Sequence, residues 1–248
     1  MNGTCAERTL LKEIHVLLLL ATLMLTPVAL AEGKKILVAH RGASAYAPEH
    51  TSAAYELAIA QGADYVEQDL QVTKDGVLVS LHDPVLERTT NVEEVFPDRF
   101  RDVVVDGVER RIWLVKDFTL AEIKQLDAGS WFGAESTGAT ILTFKEAIEL
   151  IRGRSGLFPE LKNPQVYQDL ETSFEELFLK ALREYGLDQP GRDRKTPVIV
   201  QSFHEGILRK LIQNGRSNPG PVQANDVPIQ MVKAVAAPAS RQEKKKQP

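Results

Sequence analysis

The sequence is poor in cysteine: among its 248 residues only Cys5 carries a thiol, and it lies near the N-terminus. Once that region is removed, neither a disulfide bond nor a thiolate zinc site can stabilise the protein. An excess of basic residues is also lacking, because the net charge is −4 and both signs are interspersed. A nucleic-acid-binding surface is therefore not predicted. An anionic substrate must be bound by local cations, either side chains or a metal ion.

One uninterrupted apolar run, Val16 to Leu25, lies near the N-terminus, and it falls short of the ~20 residues that a transmembrane helix needs. Arg8 and Lys12 precede this run, and residues 29–31 have the small-x-small form of a cleavage site. Residues 1–31 are therefore predicted to be a signal peptide, with an uncleaved membrane anchor as the alternative. The expected location is periplasmic or secreted, with no stable membrane anchor after cleavage.

The remaining composition, within a chain that is 43% hydrophobic and 26% charged, is that of a globular protein. Residues 32–214 are predicted to form one domain in which strands and helices alternate. The predicted strands are 35–40, 64–72, 77–82, 156–162 and 198–203, and the predicted helices are 52–61, 144–151, 169–185 and 207–212.

Two regions depart from this alternation. Residues 84–140 are too long and too polar for a connecting loop and are interpreted as an inserted subdomain. Residues 215–248 are rich in proline, alanine, asparagine and glutamine and end in a basic run. They are predicted to be a disordered or aberrant tail, although residues 229–237 can form one short element.

A predicted hairpin places three chemically active side chains together. Asp75-Gly76 is a strong turn signal. A two-residue turn places Asp69 opposite His82, whereas a four-residue turn over 73–76 places Glu67 opposite His82. Because side chains alternate with period two along a strand, both registers predict that Glu67, Asp69 and His82 share one face.

Three strand carboxylates, Glu67, Asp69 and Glu160, are candidate metal ligands. Hard oxygen ligands without cysteine favour calcium or magnesium over zinc. The alternative is that Glu67 and Asp69 lie on the solvated face of a half-buried strand.

His40 and His82 each end an apolar run, and they are candidates for proton transfer. Cleavage of a phosphodiester needs one group to deprotonate the nucleophile and another to protonate the leaving alkoxide, which two histidines can supply. A strand-end histidine that serves only as a structural hydrogen-bonding group is the alternative. Arg41 and Lys162 can donate to phosphate oxygens or be surface charges, whereas His50 and His204 have no predicted role.

Several of these residues belong to motifs that together resemble the glycerophosphodiester phosphodiesterase family, most closely its periplasmic bacterial branch. The motifs are His40-Arg41-Gly42, Pro48-Glu49-His50-Thr51, Glu67-Gln68-Asp69-Leu70, Thr73-Lys74-Asp75-Gly76, His82-Asp83 and Pro159-Glu160-Leu161-Lys162. The resemblance covers roughly residues 35–210 in consistent order.

The resemblance implies an α/β fold, a TIM-type (β/α)₈ barrel with its site at the carboxyl ends of the strands. It further implies that His40 and His82 are the acid/base pair. Glu67, Asp69 and Glu160 then bind a divalent cation, Ca²⁺ or Mg²⁺, and the substrate-binding residues are Arg41, Lys162 and Glu49. The implied reaction is hydrolysis of a small-molecule glycerophosphodiester, such as glycerophosphocholine, to sn-glycerol 3-phosphate and an alcohol.

The C-terminal part of the sequence departs from that family pattern. About three more strand–helix units are expected after residue 203, and the sequence does not reveal them. We therefore expect an incomplete barrel with its C-terminal strands missing. An inactive fragment that retains a metal or phosphate site, and a related phospholipase-type phosphodiesterase, are the alternative interpretations. The head group and the oligomeric state are not predicted.

Overall fold

The computed structural model describes residues 35–189, 191–215 and 230–233, without the side chains of residues 215 and 230–233. The predicted signal peptide, residues 1–31, lies outside the described residues. Among the described residues no helix has the length and apolar character needed to cross a membrane.

The main sheet contains five parallel strands and one antiparallel strand. The parallel strands, in their spatial order, are β1 (Val38–Ala39), β2 (Tyr65–Val72), β6 (Gly156–Leu161), β7 (Ile199–Ser202) and β8 (Gln230–Lys233). β3 (Leu78–Ser80) pairs antiparallel with β2. The predicted alternation of strands and helices is therefore confirmed.

Four helices connect the parallel strands: α1 (Ser52–Ala60), α4 (Phe144–Ile151), α5 (Phe174–Glu184) and α6 (Glu205–Gly215). Helix α4 has the predicted bounds because Thr143 and Glu146 form a capping box at its start. Its buried residues are Phe144, Ala147, Ile148 and Ile151, at the i, i+3, i+4, i+7 spacing of one helical face. The predicted helix 169–185 begins later, at Phe174, because Ser173 is its N-cap.

Strand β2 separates the hydrophobic core from the site. Val66 and Leu70 point into the larger core cluster, to which residues of α1, α4, α5 and α6 also belong. Because neighbouring side chains on a strand point to opposite faces, Glu67 and Asp69 point away from that cluster. The core beneath the strand therefore supports a row of polar side chains on the other face.

The hairpin between β2 and β3 has a register that differs from both predicted registers. Leu70 pairs with Ser80 and Val72 with Leu78, and the amide of Thr73 donates to the carbonyl of Val77 at 3.0 Å. The connection therefore has three residues, 74–76, and Gly76 has a φ of +74°. Both predicted registers were wrong by one residue, so continuing this pairing does not set His82 opposite Glu67 or Asp69.

The inserted region 84–140 contains several short elements. They are α2 (Val92–Val95), β4 (Arg101–Val105), β5 (Val108–Ile112), α3 (Leu120–Ile123) and the 3₁₀ helices Val115–Asp117 and Ala134–Ser136. β4 and β5 form a separate two-stranded antiparallel sheet. Most of a second hydrophobic cluster comes from this region, including Trp113 and Phe118, and Val79 of β3 also belongs to it.

Strand β8 lies within the region predicted to be a tail. Its residues pair in parallel with β7, from Ile199 with Gln230 to Ser202 with Lys233. The disordered tail predicted for residues 215–248 is therefore wrong for residues 230–233, which agree with the short element predicted within 229–237, while residues 216–229 and 234–248 lie outside the described residues. Within the described residues, β1 and β8 end the path of the sheet, which is open.

Candidate active site

Three carboxylates meet where β2 and β6 lie side by side. Asp69 and Glu160 are paired in the register of these parallel strands, and Glu67 is two residues before Asp69. One ligand atom from each of the three lies within 4.8 Å of the other two, and all three residues are buried. The predicted convergence of Glu67, Asp69 and Glu160 is therefore confirmed, and the interpretation of a solvated strand face is wrong.

The charge of Asp69 raises the proton affinity of the other two carboxylates. Burial, followed by the charge of Asp69, raises the pKa of Glu160 to about 7. The same two causes, in the same order, raise the pKa of Glu67. Burial also raises the pKa of Asp69, but the hydrogen bond from His50 and nearby positive charges outweigh it and hold that pKa well below its usual range. A cation between these groups would relieve their repulsion.

The acidic cluster fits a divalent cation. Calcium binds oxygen at ~2.3–2.6 Å, so two oxygens on one ion are at most ~5 Å apart. The ligand atoms of Glu67, Asp69 and Glu160 satisfy this limit, since they lie within 4.8 Å of one another. The donor set consists only of oxygen, which suits calcium or magnesium.

Lys162 and Arg41 contribute the positive charge of the site. The Nζ atom of Lys162 is 3.1 Å from Glu160 Oε1 and 4.0 Å from Asp69 Oδ1. Arg41 follows β1, has a φ of +57°, and places Nε 3.5 Å from Asp69 Oδ2. Its backbone amide donates to Glu67 Oε2 at 3.0 Å. The positively charged side chains of Lys162 and Arg41 therefore lie beside the carboxylates, and their contact with phosphate stays a prediction.

Glu49 connects two arginines. Arg41 Nη1 donates to both Glu49 oxygens, at 3.1 and 3.3 Å. Arg88 donates to the same carboxylate through Nη1 at 3.1 Å and Nη2 at 2.5 Å. Burial raises the pKa of Glu49, but the hydrogen bond from Arg88 and the charge of Arg41 lower it more, so it is an anion. Glu49 thus orients Arg41, and its predicted role in substrate binding stays a prediction.

His40 lies at the open side of the site. Its Nε2 atom is 3.7 Å from Glu67 Oε2, and 68% of its side chain is exposed. Partial burial, followed by the charge of Arg41, lowers the pKa of His40. The ring is therefore neutral at neutral pH and can accept a proton.

His82 faces the same group of charges from the loop after β3. Its Nδ1 atom is 2.6 Å from Asp83 Oδ1, and its carbonyl accepts from Gln71 Nε2 at 2.8 Å. The charge of His82 acts on both Asp69 and His40. Because the chain leaves the sheet after Leu81, the wrong strand register does not exclude a shared proton-transfer role for His40 and His82, which stays a prediction.

His50, which the sequence analysis set aside, is a buried part of the site. Its Nε2 atom is 2.9 Å from Asp69 Oδ2, and its Nδ1 atom is 2.9 Å from the Tyr55 hydroxyl. Its φ of +58° turns the side chain toward β2. The sequence analysis gave His50 no role, and its place in the Pro48-Glu49-His50-Thr51 motif was the available signal.

Gln201 and Arg88 were also missed. Gln201 is paired with Glu160 in the register of β6 and β7, and its amide donates to Glu67 Oε1 at 2.6 Å. Gln201 lies within the predicted strand 198–203, which was a weak signal of proximity. Arg88 lies in the inserted region, where no periodicity connected it with the other site residues.

Comparison with known proteins assigns the family. The sequence profile described as "Glycerophosphoryl diester phosphodiesterase family" matches residues 40–245. The chain is 37% identical over 213 residues to the glycerophosphodiester phosphodiesterase of Bacillus subtilis, covering 78% of this chain and 63% of that protein. It is 40% identical over 179 residues to the glycerophosphodiester phosphodiesterase of Caldanaerobacter subterraneus, covering 72% and 62%.

Solved structures share the fold. A glycerophosphodiester phosphodiesterase from Agrobacterium tumefaciens matches with a TM-score of 0.55 and 32% identity, over 73% of this chain and 63% of that one. A phosphodiesterase from Oleispira antarctica, solved in complex with the product sn-glycerol-3-phosphate, matches with a TM-score of 0.54 and 34% identity, over 71% and 60%. The α/β fold is therefore of the TIM-barrel type and open in the described residues. The chain spans 63% and 62% of the two curated relatives.

Proposed function

Because the chain belongs to the glycerophosphoryl diester phosphodiesterase family, we propose that it hydrolyses glycerophosphodiesters to sn-glycerol 3-phosphate and an alcohol. The observation that carries this proposal is the buried cluster of Glu67, Asp69 and Glu160. Two histidines, His40 and His82, and the positively charged side chains of Arg41 and Lys162 belong to the same candidate site. Such a set can bind a phosphodiester and move protons on both sides of it. The related Oleispira protein was solved with sn-glycerol-3-phosphate bound.

Glu67, Asp69 and Glu160 are proposed to hold the divalent cation, which is Ca²⁺, with Mg²⁺ as the alternative. When bound, such an ion neutralises the charge of the phosphate and polarises its oxygens. Lys162 and Arg41 are proposed to donate to the non-bridging phosphate oxygens. Glu49 orients Arg41 for this role, since the two share two hydrogen bonds.

The two histidines are proposed to transfer the protons. The free glycerol hydroxyl beside the ester attacks phosphorus while one histidine removes its proton, and the other protonates the leaving alkoxide. The pKa of His40 is lowered, first by burial and then by Arg41, which favours His40 as the first proton acceptor. Water then opens the resulting cyclic phosphate with the histidine roles exchanged, and both histidines regain their initial protonation states.

Turnover of glycerophosphocholine tests this function. Release of sn-glycerol 3-phosphate would be measured with Ca²⁺, after EDTA, and after Ca²⁺ is restored. We expect activity to disappear with EDTA and to return with calcium. Asp69→Asn, which keeps the side-chain shape, should lose calcium binding and turnover together. Equal turnover with and without EDTA would contradict the metal dependence.

An inactive fragment is the second candidate, and the open sheet favours it. In the described residues β1 and β8 end the sheet, and the chain spans 63% of its Bacillus relative. Calcium binding by titration calorimetry without turnover of glycerophosphocholine or any other glycerophosphodiester would support the fragment and reject the enzyme. Release of sn-glycerol 3-phosphate at a rate above that of Asp69→Asn would reject the fragment.

A further inference from the structure

A chain of ion pairs extends from His82 to the far side of the site. His82 contacts Asp83, Asp83 contacts Arg88, and Arg88 contacts Glu49. Glu49 contacts Arg41. Arg88 is the central member, and it comes from the inserted region. It therefore connects the group that holds His82 with the group that holds Arg41.

Asp83 determines which nitrogen of His82 carries a proton. The hydrogen bond from His82, followed by the contact with Arg88, holds the pKa of Asp83 well below its usual range. An ionised carboxylate only accepts hydrogen bonds, so Nδ1 of His82, 2.6 Å from Asp83 Oδ1, must donate. In the neutral ring Nε2 is then the free acceptor, which is the nitrogen that proton transfer needs.

Arg88 fixes the orientation of Asp83. Its Nε atom donates to Asp83 Oδ2, leaving Oδ1 for His82. Its Nη1 and Nη2 atoms donate to the two oxygens of Glu49. A planar guanidinium can make these bonds to two carboxylates at once, whereas a lysine ammonium is a point charge on a flexible stem. Without Arg88, Asp83 would be free to rotate away from His82.

We propose that Arg88 is a positioning residue that fixes the orientation and tautomer of His82 through Asp83, with Glu49 as its second anchor. This inference rests on the proposed function, because it assigns His82 a proton-transfer role. Stabilisation of the fold does not by itself explain the contacts of Arg88. Its side chain is 41% exposed, and ion pairs at exposed sites contribute little to the free energy of unfolding.

A double-mutant cycle tests whether Arg88 acts through Asp83. Arg88→Ala and Asp83→Asn should each lower kcat by about 10- to 100-fold, the range seen when a group that orients an active-site ligand is removed. The double variant should be no slower than Asp83→Asn alone, because residues that act in one network are not additive. Losses that multiply would overturn the proposal.

Two further variants separate positioning from charge and from general stability. Arg88→Lys keeps the charge but cannot bridge both carboxylates. Its kcat should therefore be lowered nearly as much as that of Arg88→Ala. Arg101→Ala removes a comparable arginine that donates two hydrogen bonds to Asp117 at 2.6 Å each in the inserted region. Its kcat should stay within about twofold of the unmodified protein, and its thermal melt provides the stability control. Full activity of Arg88→Lys would contradict the bridging role.

A spectroscopic measurement tests whether Arg88 fixes the tautomer of His82, and it does not depend on turnover. In protein labelled with ¹⁵N-histidine, the unmodified chain should show His82 protonated at Nδ1 only, and Arg88→Ala should show a mixture of the two tautomers. A His82 signal that is unchanged in Arg88→Ala would overturn the proposal. If the unmodified chain has no turnover, the proposed function fails, and the His82 signal still tests the role of Arg88.

Discussion

At the residue scale, the site depends on side chains that orient other side chains. His50 contacts Asp69 and Tyr55, Gln201 contacts Glu67, and Asp83 contacts His82. Each of these partners removes a rotational freedom from a predicted metal ligand or proton-transfer group. Preorganisation of this kind is what allows a site to act without rearranging during the reaction.

The first residue-scale prediction concerns the two histidines. His40→Ala and His82→Ala should each lower kcat by about 10²- to 10⁴-fold, the usual contribution of general acid–base catalysis. Calcium affinity, measured by titration calorimetry, should change little because neither residue is a proposed ligand. His204→Ala is the matched control, since His204 is exposed. A loss below tenfold for His40 or His82 would reduce that residue to a structural role.

The second residue-scale prediction concerns His50. His50→Phe keeps an aromatic ring but removes both nitrogens, which deprives Tyr55 and the buried Asp69 of their hydrogen bonds to His50. We expect the free energy of unfolding to fall by about 1–3 kcal/mol and calcium affinity to fall by about 10- to 100-fold. His50→Asn should lower both the free energy of unfolding and the calcium affinity less, because asparagine also tolerates positive φ and keeps a hydrogen-bond donor. Calcium affinity unaffected in His50→Phe would show that Asp69 needs no orienting partner.

At the element scale, the turn after β1 fixes the distance between β1 and α1. Gly42 has a φ of +82°, and a Cβ atom at this position would lie 2.8 Å from the backbone carbon of Ala54 in α1. The amide of Ala43 donates to the carbonyl of Ala54 at 2.9 Å. The close approach of this turn to the helix brings His40 and Arg41 beside β2.

Substitution of two glycines with the same φ separates strain from collision. Gly62 also has a φ of +82°, but a Cβ atom there would have nothing within 4 Å. Gly62→Ala should lower the free energy of unfolding by about 1–2 kcal/mol, the cost of a left-handed backbone for a residue with Cβ. Gly42→Ala should lower it further and reduce turnover as well. Equal losses in denaturant titrations would show that the turn can move away from Ala54.

Helix α3 provides a prediction about pH. The backbone amide of Thr119, followed by Arg99, lowers the pKa of Glu122 to about 2 from an ordinary value of 4.5. Because the folded-state pKa is depressed, the stabilisation is present above about pH 4.5 and is lost as pH falls toward 2. In denaturant titrations, the difference between the unmodified protein and Glu122→Gln should therefore shrink over this range. Glu171→Gln, at an exposed position before α5, is the control, and a constant difference for Glu122→Gln would contradict the assignment.

At the scale of the whole molecule, the sheet of the described residues has ends at β1 and β8. Beside β1, Ile36 and Leu37 are 54% and 55% exposed. Strand edges with unpaired backbone groups and nearby apolar side chains favour association with other chains.

The whole-molecule prediction follows from this edge. The purified chain should increase the fluorescence of a hydrophobic dye, and Leu37→Lys should reduce that increase. Val104→Lys, at a 70% exposed position in β4 of the separate hairpin, should reduce it less. If Leu37→Lys has no effect on dye fluorescence, the β1 edge is not the surface that binds the dye.

The sequence by itself determined the order of the elements and most of the residues of the site. Helix α4 has the predicted bounds because its capping box and its apolar spacing are local signals. Glu67, Asp69 and Glu160 could be selected because parallel strands bring period-two side chains to one face. Their selection as ligands also used the family resemblance, whose motifs specify residues that local patterns leave ambiguous.

The tertiary structure alone decided the contacts between distant segments. The hairpin register depended on a hydrogen bond between Thr73 and Val77, which the turn residues did not specify. The sequence indicated one short element within residues 229–237, but only the fold shows that it is a strand paired with β7, because a four-residue strand has too little periodicity to be distinguished from a loop. Arg88 joins Asp83 to Glu49 across 39 positions of sequence, and a single arginine in a polar region has no pattern that reveals its partners. Local structure follows from neighbouring residues, whereas ion pairs and strand pairing depend on which segments the whole fold brings together.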